Sequence, residues 1–249
     1  MSGVLVVTGG GRGIGAAIAE LGGARGYKVC VNYSRAMDRA AAVVESIRDQ
    51  GGRAIAVRAD VADESDVVRM FREVDDNLGP VSALVNNAGI DIPPTDFADL
   101  DPAKLERLFA VNVFGAFLSA REAIKRMSTA RGGAGGVIVN ISSRASVHGR
   151  LVREVPYAAS KGAIDAMTIT LANEVAPQGI RVATIRPGII VTEIFDSIGG
   201  EAALKEIAKT GVPMGRPGQA REIANAALWL CSEEASYVTG AILDVGGGR

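Results

Sequence analysis

Tyr157 and Lys161 are a pair of side chains whose spacing suits proton transfer. They lie four residues apart in a segment with a helical pattern, so the phenol and the ammonium share one helix face. A tyrosine with its usual pKa near 10 is a poor base at neutral pH, and each unit by which that pKa falls requires about 1.4 kcal/mol. A lysine charge within about 4–6 Å favours the phenolate. The pair therefore predicts a tyrosine that accepts or donates a proton during catalysis.

A glycine-rich loop between a predicted strand and a predicted helix is a second functional motif. Residues 8–15 read Thr-Gly-Gly-Gly-Arg-Gly-Ile-Gly, directly after an apolar run that starts at Val4. Glycines here permit a tight turn, let the backbone approach a pyrophosphate and direct the N–H groups at the start of the helix toward its charge. The loop predicts a dinucleotide site that includes Gly9, Gly11, Arg12, Gly13, Ile14 and Gly15.

The residues after the second predicted strand bear on which dinucleotide binds. NAD-selective loops usually place an acidic residue about 20 positions after the glycines, where it holds the ribose 2′-hydroxyl. Residues 32–35 here read Asn-Tyr-Ser-Arg, and the first acidic residue, Asp38, falls in a predicted helix. Arg12 and Arg35 are placed to clamp a 2′-phosphate. We therefore expect NADP(H), with NAD(H) as the alternative if these arginines are solvated surface residues.

Short apolar strands alternate with helices along the chain. Such alternation predicts a parallel sheet covered on both faces by helices with right-handed crossovers. We expect an α/β fold, a doubly wound Rossmann sheet of about seven strands, as a single domain over residues 1–249. Strands are predicted at residues 4–8, 28–33, 53–58, 81–85, 137–141, 181–185 and 241–245, and helices at residues 14–21, 37–50, 64–77, 102–127, 157–175 and 222–231.

Two segments interrupt this alternation. Residues 131–136 are rich in glycine and are predicted to form a surface loop. Residues 195–218 form an insertion after a strand's carboxyl end, where α/β folds place ligands and the loops that cover them. We therefore expect a mobile substrate lid at residues 193–218, with a rigid surface excursion as the alternative.

Composition limits the classes of partner. The 249 residues carry a net charge of −1 with dispersed lysine and arginine, so no basic face for nucleic acid is expected. No apolar run approaches the ~18 residues of a membrane span, and the early first strand leaves no room for a secretory signal. Cys30 and Cys231 lie far apart, which is typical of a reducing compartment, and the sole histidine, His148, argues against a histidine-rich metal site. We expect a soluble cytoplasmic protein that binds small molecules and no metal.

In combination, these motifs resemble the short-chain dehydrogenase/reductase family from residue 4 to the C-terminus. The glycine loop resembles the family's cofactor loop, and Asn-Asn-Ala-Gly at residues 86–89 resembles the segment after its fourth strand. Asn-Ile-Ser-Ser at residues 140–143 precedes the tyrosine and lysine as it does in that family. The resemblance implies further cofactor contacts from Asp60 and Val61 at the adenine, from Asn87, Ala88 and Gly89 after the fourth strand, and from Pro187, Gly188, Ile190 and Thr192 beside the nicotinamide.

The same resemblance implies roles at the reaction centre. Ser143 would hydrogen-bond the substrate oxygen, and Tyr157 would act as acid or base beside the nicotinamide. Lys161 would also hold the nicotinamide ribose, and Asn112 would support a water relay. Two hydroxyl donors that converge on an oxygen gaining charge stabilise a transition state. Ser142 is the rival to Ser143, because Ser143 precedes the tyrosine by 14 positions, one more than in many family members.

Two further features carry weaker implications. Arg144, Arg150 and Arg153 lie with His148 between the serine and the tyrosine, and we interpret them as solvated or subunit-contact residues, with anion binding as the alternative. Residues 183–184 read Ala-Thr where the family often has asparagine, and no function is predicted from this departure.

The expected function is an NADP(H)-dependent carbonyl reductase or secondary-alcohol dehydrogenase. The chain resembles both 3-oxoacyl-thioester reductases and glucose-dehydrogenase-like members, so an acyl thioester, a sugar or another small ketone or alcohol is the expected substrate. A non-catalytic NADP(H)-sensing protein is the alternative. The resemblance also implies a homotetramer, assembled through the helix of residues 112–127, the helix that carries Tyr157 and the C-terminal strand.

Overall fold

Nine strands occur in the part of the chain that the structure describes, which comprises residues 3–148, 154–192 and 200–249. In this computed structural model the central strands are runs of valine, isoleucine, leucine and alanine, the composition expected of strands buried on both faces. The strands are β1 (Val4–Val7), β2 (Lys28–Tyr33), β3 (Arg53–Arg58), β4 (Val81–Asn86), β5 (Gly136–Ile141), β6 (Ile180–Pro187), β7 (Ile190–Val191), β8 (Gly218–Gln219) and β9 (Ile242–Val245).

Seven of these strands form one parallel sheet in the order β3-β2-β1-β4-β5-β6-β9, while β7 and β8 pair separately. From β1, the chain adds β2 and β3 on one side of β1. It then crosses to the other side of β1, where β4 begins the second half of the sheet. The strand order therefore reverses between β1 and β4. Ligands of such sheets bind outside the carboxyl ends of the strands at this switch point.

Helices cover both faces of this sheet. Among residues 3–148, 154–192 and 200–249, none of them is long and apolar enough to cross a membrane. They are α1 (Gly13–Ala24), α2 (Met37–Asp49), α3 (Glu64–Asn77), α4 (Pro102–Phe109), α5 (Gly115–Met127), α6 (Ala145–His148), α7 (Val155–Val175), α8 (Gly200–Gly211) and α9 (Ala220–Leu230).

Two apolar clusters lie between the sheet and its helices, one on each face. Successive residues of a strand point to opposite faces, and β1 follows this rule. Leu5 and Val7 pack in the cluster that contains residues of α1, α2 and α9, whereas Val4 and Val6 pack in the cluster that contains residues of α3, α5 and α7. The two-faced burial confirms the predicted doubly wound parallel sheet of seven strands.

The helical run from α4 to α5 contains one π-helical turn, Ala110–Phe114. The sequence predicted an uninterrupted helix over residues 102–127, and the structure corrects that prediction at this turn. Asn112 lies at the centre of the turn and is 2% exposed. Its side chain makes two hydrogen bonds with the backbone of Ile90, which draws the helix toward the segment after β4. Turns of this type occur frequently at functional sites.

The predicted insertion contains regular structure where it is described. Residues 193–199 lie outside the described residues, and α8 and β8 occupy most of the remainder. Leu204, Ala208 and Val212 pack with Ile189 in a small apolar cluster. The described part of the predicted lid is therefore a helix anchored by apolar contacts.

Thr184, the second residue of the Ala-Thr pair at residues 183–184, belongs to a chain of buried polar side chains. Thr168 Oγ1 accepts a hydrogen bond from Asn140 Nδ2 at 2.8 Å and lies 2.6 Å from Thr184 Oγ1. Thr168 in turn donates to the carbonyl of Ile164. These hydrogen bonds connect β5, β6 and α7.

Candidate active site

A cleft of about 750 Å³ lies at the carboxyl ends of the central strands, at the switch point between β1 and β4. Its volume falls in the range of small-molecule and cofactor sites, about 300–1,000 Å³. Two residues that the sequence placed in the site, Gly15 and Asn112, lie behind the lining. The other predicted residues all line the cleft: Gly9, Gly11, Arg12, Gly13, Ile14, Arg35, Asp60, Val61, Asn87, Ala88, Gly89, Ser143, Tyr157, Lys161, Pro187, Gly188, Ile190 and Thr192.

The glycine loop forms one wall of this cleft, and its shape depends on having no side chains. Gly9 and Gly13 adopt φ angles of +62° and +53°, which favour glycine. A Cβ at Gly9 would lie 3.0 Å from the Cα of Ala88, and a Cβ at Gly15 would clash with the carbonyl oxygen of Gly9. The loop is therefore packed as tightly as its backbone allows.

Helix α1 directs its N-terminus toward this cleft. It begins at Gly13, it has no acidic residue in its first turn, and Gly13 and Ile14 line the cleft. The first N–H groups of a helix have no partners within the helix, and the helix dipole favours negative charge at this end. Together with the bare glycine wall, this arrangement fits the diphosphate of a nicotinamide dinucleotide.

Side chains from three strand ends hold the glycine loop in place. Thr8 Oγ1 accepts hydrogen bonds from the backbone N–H groups of Asn87 and Ala88, both at 3.0 Å. Asn87 Nδ2 donates to the carbonyls of Thr8 and Gly9, also at 3.0 Å. On the other side, Asn32 Oδ1 accepts from the N–H of Gly9 at 3.1 Å. The loops after β1 and β4 are thus joined, with β2 as a second support.

One end of the cleft carries positive side chains near the carboxyl end of β2. Arg12 and Arg35, the predicted clamp residues, both line it and are exposed. Arg39, in the first turns of α2, lines the same end and was missed. Asp38 lies in α2, and the side-chain amide of Asn32 donates to the carbonyl of Ala59 at 3.0 Å.

The other end of the cleft holds the tyrosine and lysine of α7. Lys161 Nζ lies 5.7 Å from the centre of the Tyr157 ring and donates to the carbonyl of Ile141 at 2.9 Å. The lysine is 5% exposed. Burial lowers its pKa to about 8, although the nearby carboxylates of Asp165 and Asp91 oppose this shift. The ammonium is thus held beside the phenol in a setting that makes its proton labile.

The structure separates the two candidate serines. Ser142 is 3% exposed, and its hydroxyl donates to the carbonyl of Lys161 at 3.1 Å. Ser143 is more exposed, and its Oγ accepts a hydrogen bond from the N–H of Ala145 at 3.1 Å. The Ser142 hydroxyl proton forms a hydrogen bond with the backbone. The Ser143 hydroxyl accepts a hydrogen bond from the backbone, and this bond does not use its proton.

Asn112 supports the site from behind. Its Oδ1 accepts from the N–H of Ile90 at 2.8 Å, and its Nδ2 donates to the carbonyl of Ile90 and to Ser160 Oγ. A Cβ at Gly89 would lie 3.5 Å from Asn112 Oδ1 and 3.6 Å from Lys161 Nζ. Asn112 therefore fixes the segment after β4 against α7, close to the lysine.

Sequence reasoning missed three charged residues of the cleft: Arg39, Asp91 and Arg107. Arg39 lies four positions after Arg35, and Asp91 follows the Asn-Asn-Ala-Gly motif by two, so proximity to a motif was a usable signal for both. Arg107 had no such signal. Its partner in an ion pair is Asp60, 47 positions away in the chain.

Arg144 does not line the cleft. It forms an ion pair with Asp244 on β9 and contacts His148. The Arg144 side chain is only 15% exposed, so the prediction of a solvated residue is wrong for Arg144. Arg150 and Arg153 lie outside the described residues. Within the described ranges, no cluster of three or more histidine, cysteine, aspartate or glutamate residues is arranged to hold a metal ion.

Comparisons with known proteins extend over nearly the whole chain. The family described as Enoyl-(Acyl carrier protein) reductase matches residues 9–249. The chain is 48% identical to an uncharacterized oxidoreductase, YgfF of Escherichia coli, over 99% of each protein. It is 40% identical to glucose 1-dehydrogenase 2 of Bacillus subtilis, with 98% of this chain and 93% of that protein covered. It is 36% identical to a 3-oxoacyl-[acyl-carrier-protein] reductase of Staphylococcus aureus, with 98% and 96% covered.

A solved structure shares the fold closely. It is a 7α-hydroxysteroid dehydrogenase complexed with NADH and 7-oxo glycochenodeoxycholic acid, and it superposes with a TM-score of 0.91. The two sequences are 35% identical, and the match covers 99% of this chain and 93% of that one.

Gly15→Ala is expected to damage the glycine loop. The new Cβ would clash with the Gly9 carbonyl and lie 2.5 Å from Asn87 Nδ2, and both groups are held by hydrogen bonds. The free energy of unfolding should fall by about 1–3 kcal/mol, as in other overpacked sites, and dinucleotide binding should weaken. Gly211→Ala is the control, because a Cβ there meets nothing within 4 Å. Equal stability and binding in the two variants would contradict the packing described.

Lys161→Met is expected to lose activity without losing stability at pH 7. The folded-state pKa of Lys161 lies near 8, below the ordinary value of 10.5, so charge burial opposes folding by about 3 kcal/mol at pH 7. Between pH 8 and 10.5 the unfolded lysine still binds a proton that the folded one has released. The wild type should therefore gain stability relative to Lys161→Met over this range.

Urea unfolding at pH 7 and pH 10 measures this difference. Lys104→Met, at an exposed position on α4, controls for the introduction of methionine. A stability difference between wild type and Lys161→Met that is the same at both pH values would show that the lysine pKa is not lowered in the folded state.

Proposed function

The chain belongs to the short-chain dehydrogenase/reductase family, and we propose that it interconverts a carbonyl and a secondary alcohol with NADP(H) as the cofactor. Its family makes it an NAD(P)-dependent oxidoreductase that acts on CH–OH or carbonyl groups. The observation that carries the specific proposal is the arrangement of a single cleft. Exposed arginines line one end of the cleft, and a serine, a tyrosine and a buried lysine line the other end. The glycine loop and the N-terminus of α1 form the wall between them.

The reaction centre would consist of Ser143, Tyr157 and Lys161. The nicotinamide, when bound, supplies or takes up the hydride. During reduction, the Ser143 and Tyr157 hydroxyls donate hydrogen bonds to the substrate carbonyl oxygen, and the Tyr157 proton passes to that oxygen as it gains charge. During oxidation, the Tyr157 phenolate accepts the proton of the alcohol.

Lys161 would support both directions of this proton transfer. Its ammonium stabilises the Tyr157 phenolate electrostatically, and its bond to the Ile141 carbonyl fixes the position of Nζ. A pKa of about 8 lets the ammonium share in proton movement near neutral pH. Asn112 would hold the neighbouring backbone and support a water relay to this lysine.

The preference for NADP(H) over NAD(H) rests on charge. Arg12, Arg35 and Arg39 are exposed and line the cleft near the end of β2, and residues 32–35 contain no acidic residue of the kind that favours NAD(H). The hydroxysteroid dehydrogenase of similar fold was solved with NADH, so the proposed preference rests on the residues of this cleft and not on the fold.

The proposed substrate is a small ketone or alcohol. The relatives include a protein named for glucose, one named for 3-oxoacyl groups and one solved with 7-oxo glycochenodeoxycholic acid. We propose the same broad class here, namely an acyl thioester, a sugar or another small carbonyl compound, and a cytoplasmic location. Cys30 and Cys231 are both buried free thiols, which suits a reducing compartment.

Tyr157→Phe is expected to retain NADPH binding and to lose turnover by about 10²–10⁴-fold, because only the acid–base hydroxyl is removed.

Ser143→Ala should lower kcat by about 10²–10³-fold, because the substrate oxygen loses one hydrogen-bond donor. Ser142→Ala is the matched control and should change stability more than kcat. Turnover of acyl thioesters, sugars and ketones measures these effects. Full activity of Tyr157→Phe would refute the mechanism, and binding without turnover in wild type would favour a sensor.

The double variant Arg12→Ala/Arg35→Ala is expected to weaken NADPH binding about 10–100-fold, because hydrogen bonds to a phosphate are charge-assisted. NADH binding should change by less than about twofold, since NADH lacks the 2′-phosphate. Fluorescence titration of both cofactors against the same protein measures the ratio. Tighter binding of NADH than NADPH by wild type would show that the arginines do not form the expected clamp.

We also propose a homotetramer assembled through α5, α7 and β9. Phe114, at the end of the π-helical turn, and Phe117, in the first turn of α5, are 60% and 49% exposed, and Ile169 on α7 is 49% exposed. Exposed apolar side chains on neighbouring helices are typical of subunit interfaces. Light scattering at micromolar concentration should give the mass of four chains, whereas a monomer would exclude this assembly.

A further inference from the structure

Asp165 is a buried carboxylate to which the mechanism above gives no part. It lies on α7 four positions after Lys161, so the two side chains share one face of the helix, with Cβ atoms about 5–6 Å apart. Asp165 is 6% exposed and Lys161 is 5% exposed. Asp165 does not line the cleft. Its charge therefore acts on the neighbouring lysine with little screening by solvent.

Arg186, the residue before Pro187 and Gly188, binds this carboxylate. Its Nε donates to Asp165 Oδ2 at 3.0 Å, and its Nη2 lies 2.9 Å from the same oxygen. Arg186 lies opposite Asp244 in the register of β6 and β9, and its Nη1 is 3.8 Å from Asp244 Oδ1. The guanidinium is thus held between two carboxylates, and it fixes the orientation of Asp165.

The other oxygen of this carboxylate, Asp165 Oδ1, is buried and accepts no hydrogen bond from the residues that the structure describes. A buried oxygen of this kind is costly for folding, and a native protein that contains one often uses it in its function. Both donors of Arg186 converge on Oδ2, so neither of them offsets the charge at Oδ1. A nearby cation is stabilised by such a charge, and Lys161 carries the neighbouring cation on α7.

The titratable side chains that face Lys161 in the described part of the chain come from three elements. They are Tyr157 and Asp165 on α7, Asp91 after β4, and Arg186 on β6, which acts through Asp165. Two more elements pack against α7 and bring charges that already have partners: Arg107 of α4 with Asp60, and Arg144, beside His148 of α6, with Asp244. Burial lowers the pKa of Lys161, and Asp165 opposes this shift more strongly than Asp91 does.

We propose that Asp165, oriented by Arg186, is a positioning residue that keeps Lys161 in the ammonium form on which Tyr157 depends. This role rests on the proposed function, because the ammonium matters to the reaction only if Tyr157 transfers a proton. Asp165 acts through Lys161. Arg186 moderates the effect, since its positive charge disfavours a second cation nearby while it directs the carboxylate.

The pH dependence of carbonyl reduction tests this role, because kcat should fall as the pH rises and Lys161 loses its proton. Asp165→Asn removes the negative charge and leaves Arg186 positive, so the midpoint of that fall should move down by about one pH unit. Arg186→Gln leaves the carboxylate without its counter-charge, so the midpoint should move up by about half a unit. The double variant should lie between the two and below wild type, and Arg186→Lys should stay close to wild type.

An ion pair that only joined α7 to β6 would give a different result. Its loss would lower the unfolding temperature of both single variants without moving their midpoints in opposite directions. Arg126→Gln is the matched control, because Arg126 pairs with Asp75 at 2.7 Å and its side chain is 17% exposed, against 16% for Arg186. Arg126 does not line the cleft. This variant should unfold at a lower temperature with its midpoint unchanged.

Nuclear magnetic resonance titration of the Lys161 side chain measures the same shifts without turnover, and Lys161→Met assigns the signal. Midpoints that move in the same direction in Asp165→Asn and Arg186→Gln, or do not move, would overturn the assignment. If a single variant does not fold, an unchanged midpoint in the double variant would also contradict it. Shifts of the predicted signs in a protein that reduces no carbonyl compound would overturn the proposed function while leaving the effect of Asp165 on Lys161 intact.

Discussion

The hydrogen bonds between Thr8 and the segment after β4 are the constraint on which the site depends. Two parallel strands, β1 and β4, end side by side where the strand order reverses, and the chain leaves them in opposite directions. Thr8 and Asn87 exchange side-chain and backbone hydrogen bonds across this gap. As a result, the glycine loop and the Asn-Asn-Ala-Gly segment together form one wall of the cleft. A dinucleotide bound against that wall would have its two halves directed toward opposite ends of the cleft.

The end of the cleft that holds Tyr157 and Lys161 combines burial with charge. An ammonium that is 5% exposed is unfavourable, and here burial brings the pKa of Lys161 down to about 8. The fold tolerates this charge because the Ile141 carbonyl accepts from Nζ and because Asp91 and Asp165 oppose the shift. The π-helical turn at Asn112 serves the same region, since it places an amide where it binds both the Ile90 backbone and Ser160. In the proposed mechanism, the stability lost by burying the Lys161 charge accompanies a more labile proton beside Tyr157.

The sequence was most informative where interactions are local in the chain. The glycine loop and the Tyr157–Lys161 spacing each lie within one or two helical turns, so residue types and intervals were sufficient to predict them. The choice between Ser142 and Ser143 needed the backbone, because it depends on which hydroxyl faces the Lys161 carbonyl. The Arg107–Asp60 pair and the direction of Arg144 toward Asp244 join residues far apart in sequence, and no local pattern reports such contacts. The π-helical turn was missed for a related reason, since its central residue, Asn112, forms hydrogen bonds with Ile90, 22 positions away.

Hydrogen exchange with and without NADPH tests most directly whether the wall formed by the glycine loop and the Asn-Asn-Ala-Gly segment binds a dinucleotide. The account predicts slower exchange of backbone amides in residues 9–15, 86–91 and 187–192, which line or support the cleft on both sides of the switch point. The same protein with NADH should show weaker protection at equal concentration. Protection confined to other parts of the chain, or no protection at saturating NADPH, would contradict the assignment of this cleft as the cofactor site.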